Sequence, residues 1–514
     1  MVRGDAANDV GQPAALTYPR RFRSAEARGA RIGRPLRLLG RVRGVDEALM
    51  ERIGRAFFEA DDAGAALAAA MRLPSGVPGR VSHRQLRAAL AGPATEPEFG
   101  RLHRAEDDRA EDDRAEDDRA EDDRAEDEIG PLGRDRSINR PNSSQVTDLS
   151  AQPEQPTELS AAPRALREFL AEVTTVPDWV DWELVDTGAA VLRRLGQNGA
   201  DVLLQLSLVG GYRFGGPTDL LAATGALTGG TLRRLAETQE WTVGLSEPGS
   251  LRPYGSAWRA TVHVRAMHAL VNASFLGRTD PDDAASGSAG PVGTGPDRTA
   301  RDAWDTARWG LPINQADQAA TLGLFDATLI LGCRALGVRI PPSDSRALMH
   351  LWKWVGHLMG VHPDFLVDDE WARHRINYHV LLAQADISDA GPRLAQAVVA
   401  AQTDRTYPGP SWWQPARAWL ERERLPSMLT MFLGPRSMRE LGLPLRPPWA
   451  HAYLLPLNVW RYHLLGRTRR GRERLDRWGR RRSDAILASY RAWPEPSASV
   501  TRTGAETGSQ AAES

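Results

Sequence analysis

Apolar residues recur every three or four positions between residues 164 and 466, and strand-like alternation of apolar and polar residues is nearly absent. This spacing predicts amphipathic α-helices, and glycine and proline mark the joints between them. The sequence therefore predicts a single all-α domain over 164–466. Within it we expect helices over 230–245, 256–276, 314–337, 343–360 and 449–465.

Composition divides the rest of the chain into three segments. Residues 1–100 predict an N-terminal extension with short helices. Residues 101–163 contain the repeat RAEDDRAEDD, which has no apolar residue larger than alanine and so cannot bury a core, and a stretch rich in Ser, Pro and Gln. We therefore expect a disordered linker. Residues 467–514 predict a basic segment followed, from 484, by a disordered tail.

Charge is unevenly distributed although the net charge is only −1. The repeat over 104–128 holds fifteen acidic residues and five arginines, whereas 461–483 is strongly basic. A basic segment of this kind suits nucleic acid, anionic lipid or an acidic partner. Because it lacks interleaved aromatic residues and any DNA-binding motif, we expect no nucleic-acid partner. A solvated helical face is the simplest interpretation.

Cysteine and apolar content narrow the class of protein. Cys333 is the only cysteine, which excludes a disulfide framework, a thiolate zinc site and covalent CxxCH haem attachment. No run approaches the roughly 18–20 apolar residues of a membrane span, and the N-terminus lacks the apolar run of a secretory signal. We therefore expect a soluble, cytoplasmic protein without a membrane span.

The segment GSAWRATVHVRAMHALVNASF carries a polar stripe on an otherwise apolar helix. Thr261, Arg265, His268 and Asn272 follow one another at spacings of four, three and four, which places them on one helical face. A helix that is apolar around most of its circumference is buried. The stripe should therefore face something inside the protein, whereas His263 lies on another side of the helix.

The preceding helix, over 230–245, carries a second polar pair. Arg234 and Thr238 are four residues apart and share a face. The connection SEPGSLRPYGS has the length that turns one helix back against the next. The two helices are therefore predicted to form a hairpin, with Thr238 and His268 at comparable depth.

Five segments, taken in chain order, resemble the latex clearing protein and MpaB oxygenase family. The resemblance implies an all-helical protein whose globin-like core and additional helices enclose haem b. It also implies a reaction with O2 on an apolar substrate. The segments are VPDWVDWELVDTG, RRLAETQEW, HVRAMHALV, WGLPINQADQAATLGLF and LMHLWKWVGHLMGV.

The resemblance assigns roles to four residues. His268 matches the histidine of the family's R-x-x-H motif and is expected to be the axial ligand of the haem iron. Arg265, the arginine of that motif, is expected to help hold the cofactor, because a guanidinium pairs well with a carboxylate such as a haem propionate; a structural ion pair is the alternative role. Arg234 and Thr238 match distal residues, where polar groups orient or polarise bound O2.

The chain departs from the rubber-cleaving members at two positions. Their distal lysine and their acid correspond here to Glu237 and Thr218, and Lys353, the only lysine, lies on a different predicted helix. The lysine ligand and the acid–base assignment of those members therefore do not transfer. A solvent-facing helix residue is the simpler interpretation of Glu237.

Three functions remain open at this stage. The leading one is a haem b-dependent oxygenase that acts with O2 on a small unsaturated, apolar, isoprenoid-like substrate, with C=C cleavage as one outcome. The alternative is a haem-binding sensor, carrier or redox protein without oxygenase turnover. A third is a haem-free helical scaffold that recruits partners through its charged segments.

Four histidines further along the chain suggest a competing metal site. His350 and His357 are seven residues apart on one predicted helix, and His374 and His379 are five apart on the next. Acidic residues lie between the two pairs. Their spacing fits no established metal-binding signature, so structural histidines are the preferred interpretation.

Overall fold

The computed structural model describes residues 17–92, 162–225, 230–276 and 304–491, which form helices and turns without a β-strand among them. The all-α prediction is thus confirmed. No helix in this part of the chain is both long and apolar enough to cross a bilayer. The RAEDD repeat and the last residues of the expected tail lie outside the described ranges.

The helices follow one another with short connections. Before the hairpin they are α1 (Glu26–Ile32), α2 (Arg34–Leu39), α3 (Glu47–Ala56), α4 (Asp62–Met71), α5 (His83–Ala91), α6 (Arg164–Thr174), α7 (Trp182–Leu195), α8 (Gln197–Val202), a π-helix (Leu203–Val209) and α9 (Pro217–Ala223). The hairpin is α10 (Thr231–Gly244) and α11 (Ser256–Leu276).

After the hairpin come α12 (Thr306–Trp309), α13 (Gln315–Phe325), α14 (Ala327–Ala335), α15 (Pro342–Leu358), α16 (Glu370–Ala383), α17 (Ala390–Ala401), α18 (Gln414–Glu440), α19 (Trp449–Asn458), a π-helix (Val459–Leu464) and α20 (Arg469–Arg491). Short 3₁₀ turns cover Pro363–Phe365, Gln402–Asp404, Ser411–Trp413 and Leu465–Arg467.

The crossing of α7 and α15 lies at the centre of the fold. The two helices pack more extensively than any other pair in the described chain. Gly188 makes the crossing possible, because a Cβ atom there would lie 2.9 Å from Leu351 Cβ and would overlap the carbonyl of Ala347. The start of α7 is capped by Asp181, whose side chain accepts hydrogen bonds from the backbone amides of Glu183 and Leu184.

The N-terminal segment packs into the same hydrophobic core as the rest of the chain. Met50, Ile53 and Phe57 belong to one buried cluster with Trp258 and Trp354. Helices α1 and α3 pack on α16, and α4 packs along α11. Residues 17–92 therefore contribute to the main core, which the sequence did not predict.

One helix boundary was predicted wrongly. We expected one helix over 314–337, but the structure has two, separated at Asp326, where φ and ψ are both −95°. Asp326 accepts a hydrogen bond from the backbone amide of Ala327 and forms a buried ion pair with Arg373 at 2.6 Å. The spacing of apolar residues could not predict this break, because it carries no information about an ion pair with a distant residue such as Arg373.

The C-terminal basic segment forms α20, which packs against α7. We expected disorder from residue 484, but the helix continues to Arg491. Ile486 and Tyr490 are buried in the second hydrophobic cluster of the protein. Burial of these side chains explains why the helix extends beyond the most arginine-rich stretch.

Replacing Gly188 by alanine should destabilise the protein. Overpacking a helix crossing costs about 1–3 kcal/mol, which should exceed the roughly 1 kcal/mol that alanine gains over glycine in a helix. Gly244→Ala is the matched control, since no atom lies within 4 Å of a Cβ atom at that position. Urea denaturation should show a lower free energy of unfolding for Gly188→Ala than for wild type, and no decrease for Gly244→Ala. Equal stability of both variants would contradict this view of the crossing.

Candidate functional site

The polar stripe of α11 faces the protein interior, as predicted. Thr261, Arg265 and Asn272 are at most 7% exposed. The Thr261 hydroxyl accepts a hydrogen bond from Trp241 Nε1 of α10 at 3.0 Å. Asn272 donates to the backbone carbonyl of Ile313 at 3.2 Å. Thr261 and Asn272 therefore each have a hydrogen-bond partner on another part of the chain.

A cavity of about 530 Å³ lies beside the second half of this stripe. Its volume falls within the range of about 300–1,000 Å³ that is typical of ligand pockets. Helices α4 and α11 form opposite walls, and most of the α4 wall consists of alanine. The lining residues are Ala60, Asp61, Ala65, Ala69, Arg72, His268, Ala269, Asn272, Ala273, Leu276, Ile313, Gln318 and Met359.

His268 is among the residues that line the cavity. Its Nδ1 atom is buried and has no hydrogen-bond partner among the described residues. Burial lowers the pKa of His268 to about 4, with the charge of Asp61 acting in the opposite direction. The ring is therefore neutral near pH 7, which is the form that binds metal ions. An unpaired buried nitrogen is costly unless something binds it.

Arg265 forms a buried ion-pair network one turn before His268. Its Nε and Nη2 atoms donate to the two carboxylate oxygens of Asp61 at 2.7 and 2.6 Å. Nη2 also donates to Glu172 at 2.6 Å. Burial disfavours the charge, but the hydrogen bonds and charges of both carboxylates raise the pKa of Arg265. The Arg265 guanidinium thus already binds two carboxylates of the protein. Its predicted role toward a haem propionate stays a prediction.

Asp61 occupies the N-cap position of α4, but it does not cap that helix with its side chain. Its carboxylate binds Arg265 instead, which lies 204 residues further along the chain. Asp61 and Glu172 were not singled out from the sequence. Since neither carries a local motif, no sequence signal could have found them.

Arg234 and Thr238 do not line the cavity. Both are exposed on α10; the Thr238 hydroxyl donates to the backbone carbonyl of Arg234 at 2.9 Å. The Arg234 guanidinium lies 3.4 Å from the carbonyl oxygen of Thr224. Trp241 and Thr261 are in contact close to the loop that connects α10 to α11. Thr238 and His268 both lie further from that loop than this contact does. Their predicted distal role stays a prediction.

The two positions that depart from the rubber-cleaving members have ordinary structural contacts. Glu237 is exposed and pairs with Arg233 at 2.9 Å, one turn earlier in α10. Thr218 is buried and donates its hydroxyl hydrogen bond to the carbonyl of Phe214 at 2.5 Å. Neither side chain lies among the residues that line the cavity.

The histidines of α15 and α16 are used in packing and backbone contacts. His350 Nε2 accepts a hydrogen bond from the Asp181 amide at 2.9 Å. His379 Nε2 accepts one from the Asp46 amide at 2.9 Å. In the described ranges, no three His, Cys, Asp or Glu side chains are grouped so as to hold a metal ion.

Comparison with known proteins identifies the family. The family model described as "ER-bound oxygenase mpaB/B'/Rubber oxygenase, catalytic domain" matches residues 193–469. The chain belongs to this family. The resemblance noted from the sequence is thus confirmed, and the matched range includes α10, α11 and the cavity residue His268.

Two relatives show how far the similarity extends. The rubber oxygenase of Streptomyces sp. (strain K30) is 24% identical over 208 residues, which cover 40% of this chain and 45% of that protein. The chain therefore spans less than half of that relative. A solved structure of latex clearing protein in the closed state aligns with a TM-score of 0.45 and 18% identity, covering 63% of this chain and 80% of that one.

The family match begins at residue 193, so it leaves out α4 and Asp61, and also Glu172. One wall of the cavity, and both carboxylates that bind Arg265, thus come from outside the matched catalytic domain. The N-terminal segment therefore contributes to the lining of the cavity, and α6 contributes a carboxylate to the ion pairs of Arg265.

Replacing Asp61 by alanine should destabilise the protein by about 1.5–3 kcal/mol, because Arg265 loses two charge-assisted hydrogen bonds but keeps its pair with Glu172. Asp62→Ala is the matched control, since Asp62 is the adjacent, exposed acid on α4. Urea denaturation of both variants measures the difference. Similar losses for Asp61→Ala and Asp62→Ala would contradict a structural role for the pair with Arg265.

Proposed function

We propose that this protein is a haem b-dependent oxygenase that acts with O2 on a small unsaturated, apolar, isoprenoid-like substrate, with C=C cleavage as the reaction to test. Family membership supports the oxygenase class, and the name of the Streptomyces relative supports an apolar polyisoprenoid-type substrate. The observation that carries the haem proposal is His268, a neutral imidazole with an unpaired buried nitrogen at a cavity of about 530 Å³.

The residues around the cavity fit a haem group. His268 would hold the iron of the group, and the alanines of α4 leave space beside α11 that the group could occupy. Arg72 is exposed at the cavity and would pair with a propionate more readily than Arg265, which already binds Asp61 and Glu172. When bound, haem supplies the iron at which O2 is activated.

The protein contributes the surroundings in which that chemistry takes place. The apolar side chains of Leu276, Ile313 and Met359 line the cavity and would reduce the contact of a bound group with water. Arg234 and Thr238 on α10 would orient O2 in the proposed reaction, although neither is among the residues that line the cavity. The cytoplasmic location expected from the sequence stays a prediction.

Replacing His268 by alanine should abolish stable haem binding. Loss of an axial ligand should weaken affinity by more than the roughly 10–100-fold that follows loss of a group supporting a ligand. Haem titration of the apoprotein, followed by the Soret absorption, measures this. His263→Ala is the matched control, because His263 is exposed on the same helix.

Two results would contradict the haem proposal. One is wild-type protein that develops no Soret band when haem is supplied. The other is a His268→Ala variant whose haem affinity and spectrum match those of wild type. Circular dichroism and thermal unfolding of both variants show whether a loss of binding is simply a loss of fold.

A haem-binding sensor, carrier or redox protein is the second candidate. It is favoured by Glu237 and Thr218, which occupy the positions of the lysine and the acid of rubber-cleaving members and make only local contacts. For the oxygenase, we expect sustained O2 uptake on addition of an isoprenoid alkene, with carbonyl products detected by mass spectrometry. Haem-loaded protein that consumes no O2 with any such alkene would favour the second candidate.

A further inference from the structure

Helix α19 and the π-helix that follows it bury several polar side chains and expose several large apolar ones. Their polar side chains point inward: His451, Asn458 and Tyr462 are at most 7% exposed. Asn458 donates to the side chain of Asn198 at 2.8 Å. The Tyr462 hydroxyl donates to the carbonyl of Arg194 at 2.6 Å.

The solvent side of the same segment is apolar and aromatic. We define the apolar ridge by its five most exposed large side chains. Arg461 is the only charged residue between 449 and 464, and its guanidinium stacks on Trp478 at 4.7 Å from the ring centroid. The ridge itself therefore carries no charge. Its members are Tyr453 (43% exposed), Leu455 (47%), Val459 (41%), Trp460 (50%) and Leu464 (60%).

Helical geometry makes these side chains one continuous surface. In α19, at 3.6 residues per turn, positions 455, 452, 456 and 453 follow one another around somewhat less than half of the helix circumference, and the exposed side chains of Val459, Trp460 and Leu464 lie in the π-helix that continues it. Contiguous exposed apolar surface of this kind usually marks a binding site for a protein or a membrane. The buried side of α19 already packs Ala450 and Leu454 into the core, so the apolar ridge is a second apolar side that the core does not use.

Positive charge directly follows the ridge. Residues 441–472 contain six arginines and neither aspartate nor glutamate. Arg467, Arg469, Arg470 and Arg472 are exposed immediately beyond Leu464; Arg469 pairs with Glu473 in its own helix. Tryptophan and leucine beside arginine are typical of a segment that lies in the interface of an anionic bilayer.

We propose that the apolar ridge docks this protein on the surface of an anionic lipid bilayer, with the helix lying in the membrane plane. Trp460, Leu464 and their neighbours enter the boundary between headgroups and acyl chains, and the arginines beyond Leu464 contact lipid phosphates. A second copy of the chain would offer the same acid-free surface and no carboxylates for these arginines, so lipid is the better complement. A bilayer is also where an apolar substrate concentrates.

Vesicle sedimentation of the full chain tests the docking and needs neither haem nor substrate. The vesicles are phosphatidylcholine alone, or phosphatidylcholine and phosphatidylglycerol at 3:1. We expect binding to the anionic vesicles and at least tenfold weaker binding by Trp460→Ser/Leu464→Ser. Trp371→Ser is the matched control, because Trp371 has the same 50% exposure on α16.

A second variant tests the electrostatic part of the contact. Arg470→Gln/Arg472→Gln should weaken binding to the anionic vesicles by about fivefold per arginine at low salt. It should leave any binding to pure phosphatidylcholine unchanged. Thermal unfolding should be the same for all variants, since every replaced side chain is exposed.

Three outcomes would overturn the proposal. The first is no binding of wild-type protein to the anionic vesicles. The second is an equal loss of binding to anionic vesicles for Trp371→Ser and for Trp460→Ser/Leu464→Ser. The third is sedimentation velocity that shows a dimer dissociated by Trp460→Ser/Leu464→Ser without vesicle binding, which would assign the ridge to a second copy of the chain. None of these outcomes bears on haem binding at His268.

Discussion

The buried charge of Arg265 is the constraint around which the candidate site is built. A guanidinium that is 2% exposed needs carboxylates, and the chain brings them from far away: Asp61 from the start of α4 and Glu172 from α6. Gly360, at φ 76°, lies so close that a Cβ atom there would be 2.7 Å from Arg265 Nε. One ion-pair network therefore joins three helices and the turn after α15.

This network has a direct consequence for His268. Because Arg265 holds α4 against α11, the cavity beside His268 has an alanine-lined wall that the matched catalytic domain does not supply. The small side chains of α4 leave space beside α11 instead of filling it. The same burial that makes the charged imidazole unfavourable leaves its Nδ1 atom without a hydrogen-bond partner among the described residues. Two residues of one helical stripe thus differ, since Arg265 binds two carboxylates whereas His268 Nδ1 binds none.

The surface of the protein presents the reverse arrangement at α19. There, Asn458 and Tyr462 form hydrogen bonds inside the protein, to Asn198 and to the carbonyl of Arg194, while tryptophan and leucine face solvent. The Asn458 amide nitrogen also donates to the carbonyl of Leu336, so a buried donor of this helix is paired with two acceptors. The apolar ridge is then free to serve an external contact rather than the fold.

The sequence by itself determined the helical class, the bounds of α10 and α11 to within a residue or two, and the inward direction of the stripe from Thr261 to Asn272. These follow from local periodicity, because side chains three and four residues apart share a helical face whatever surrounds them. Only the tertiary structure decided which partners Arg265 has, that Asp326 divides α13 from α14, and that residues 17–92 belong to the main core. It also decided that Arg234 and Thr238 are exposed rather than grouped with His268 at the cavity. Ion pairs and packing between residues up to 412 positions apart leave no trace in local spacing, since each partner alone is an ordinary polar or apolar residue.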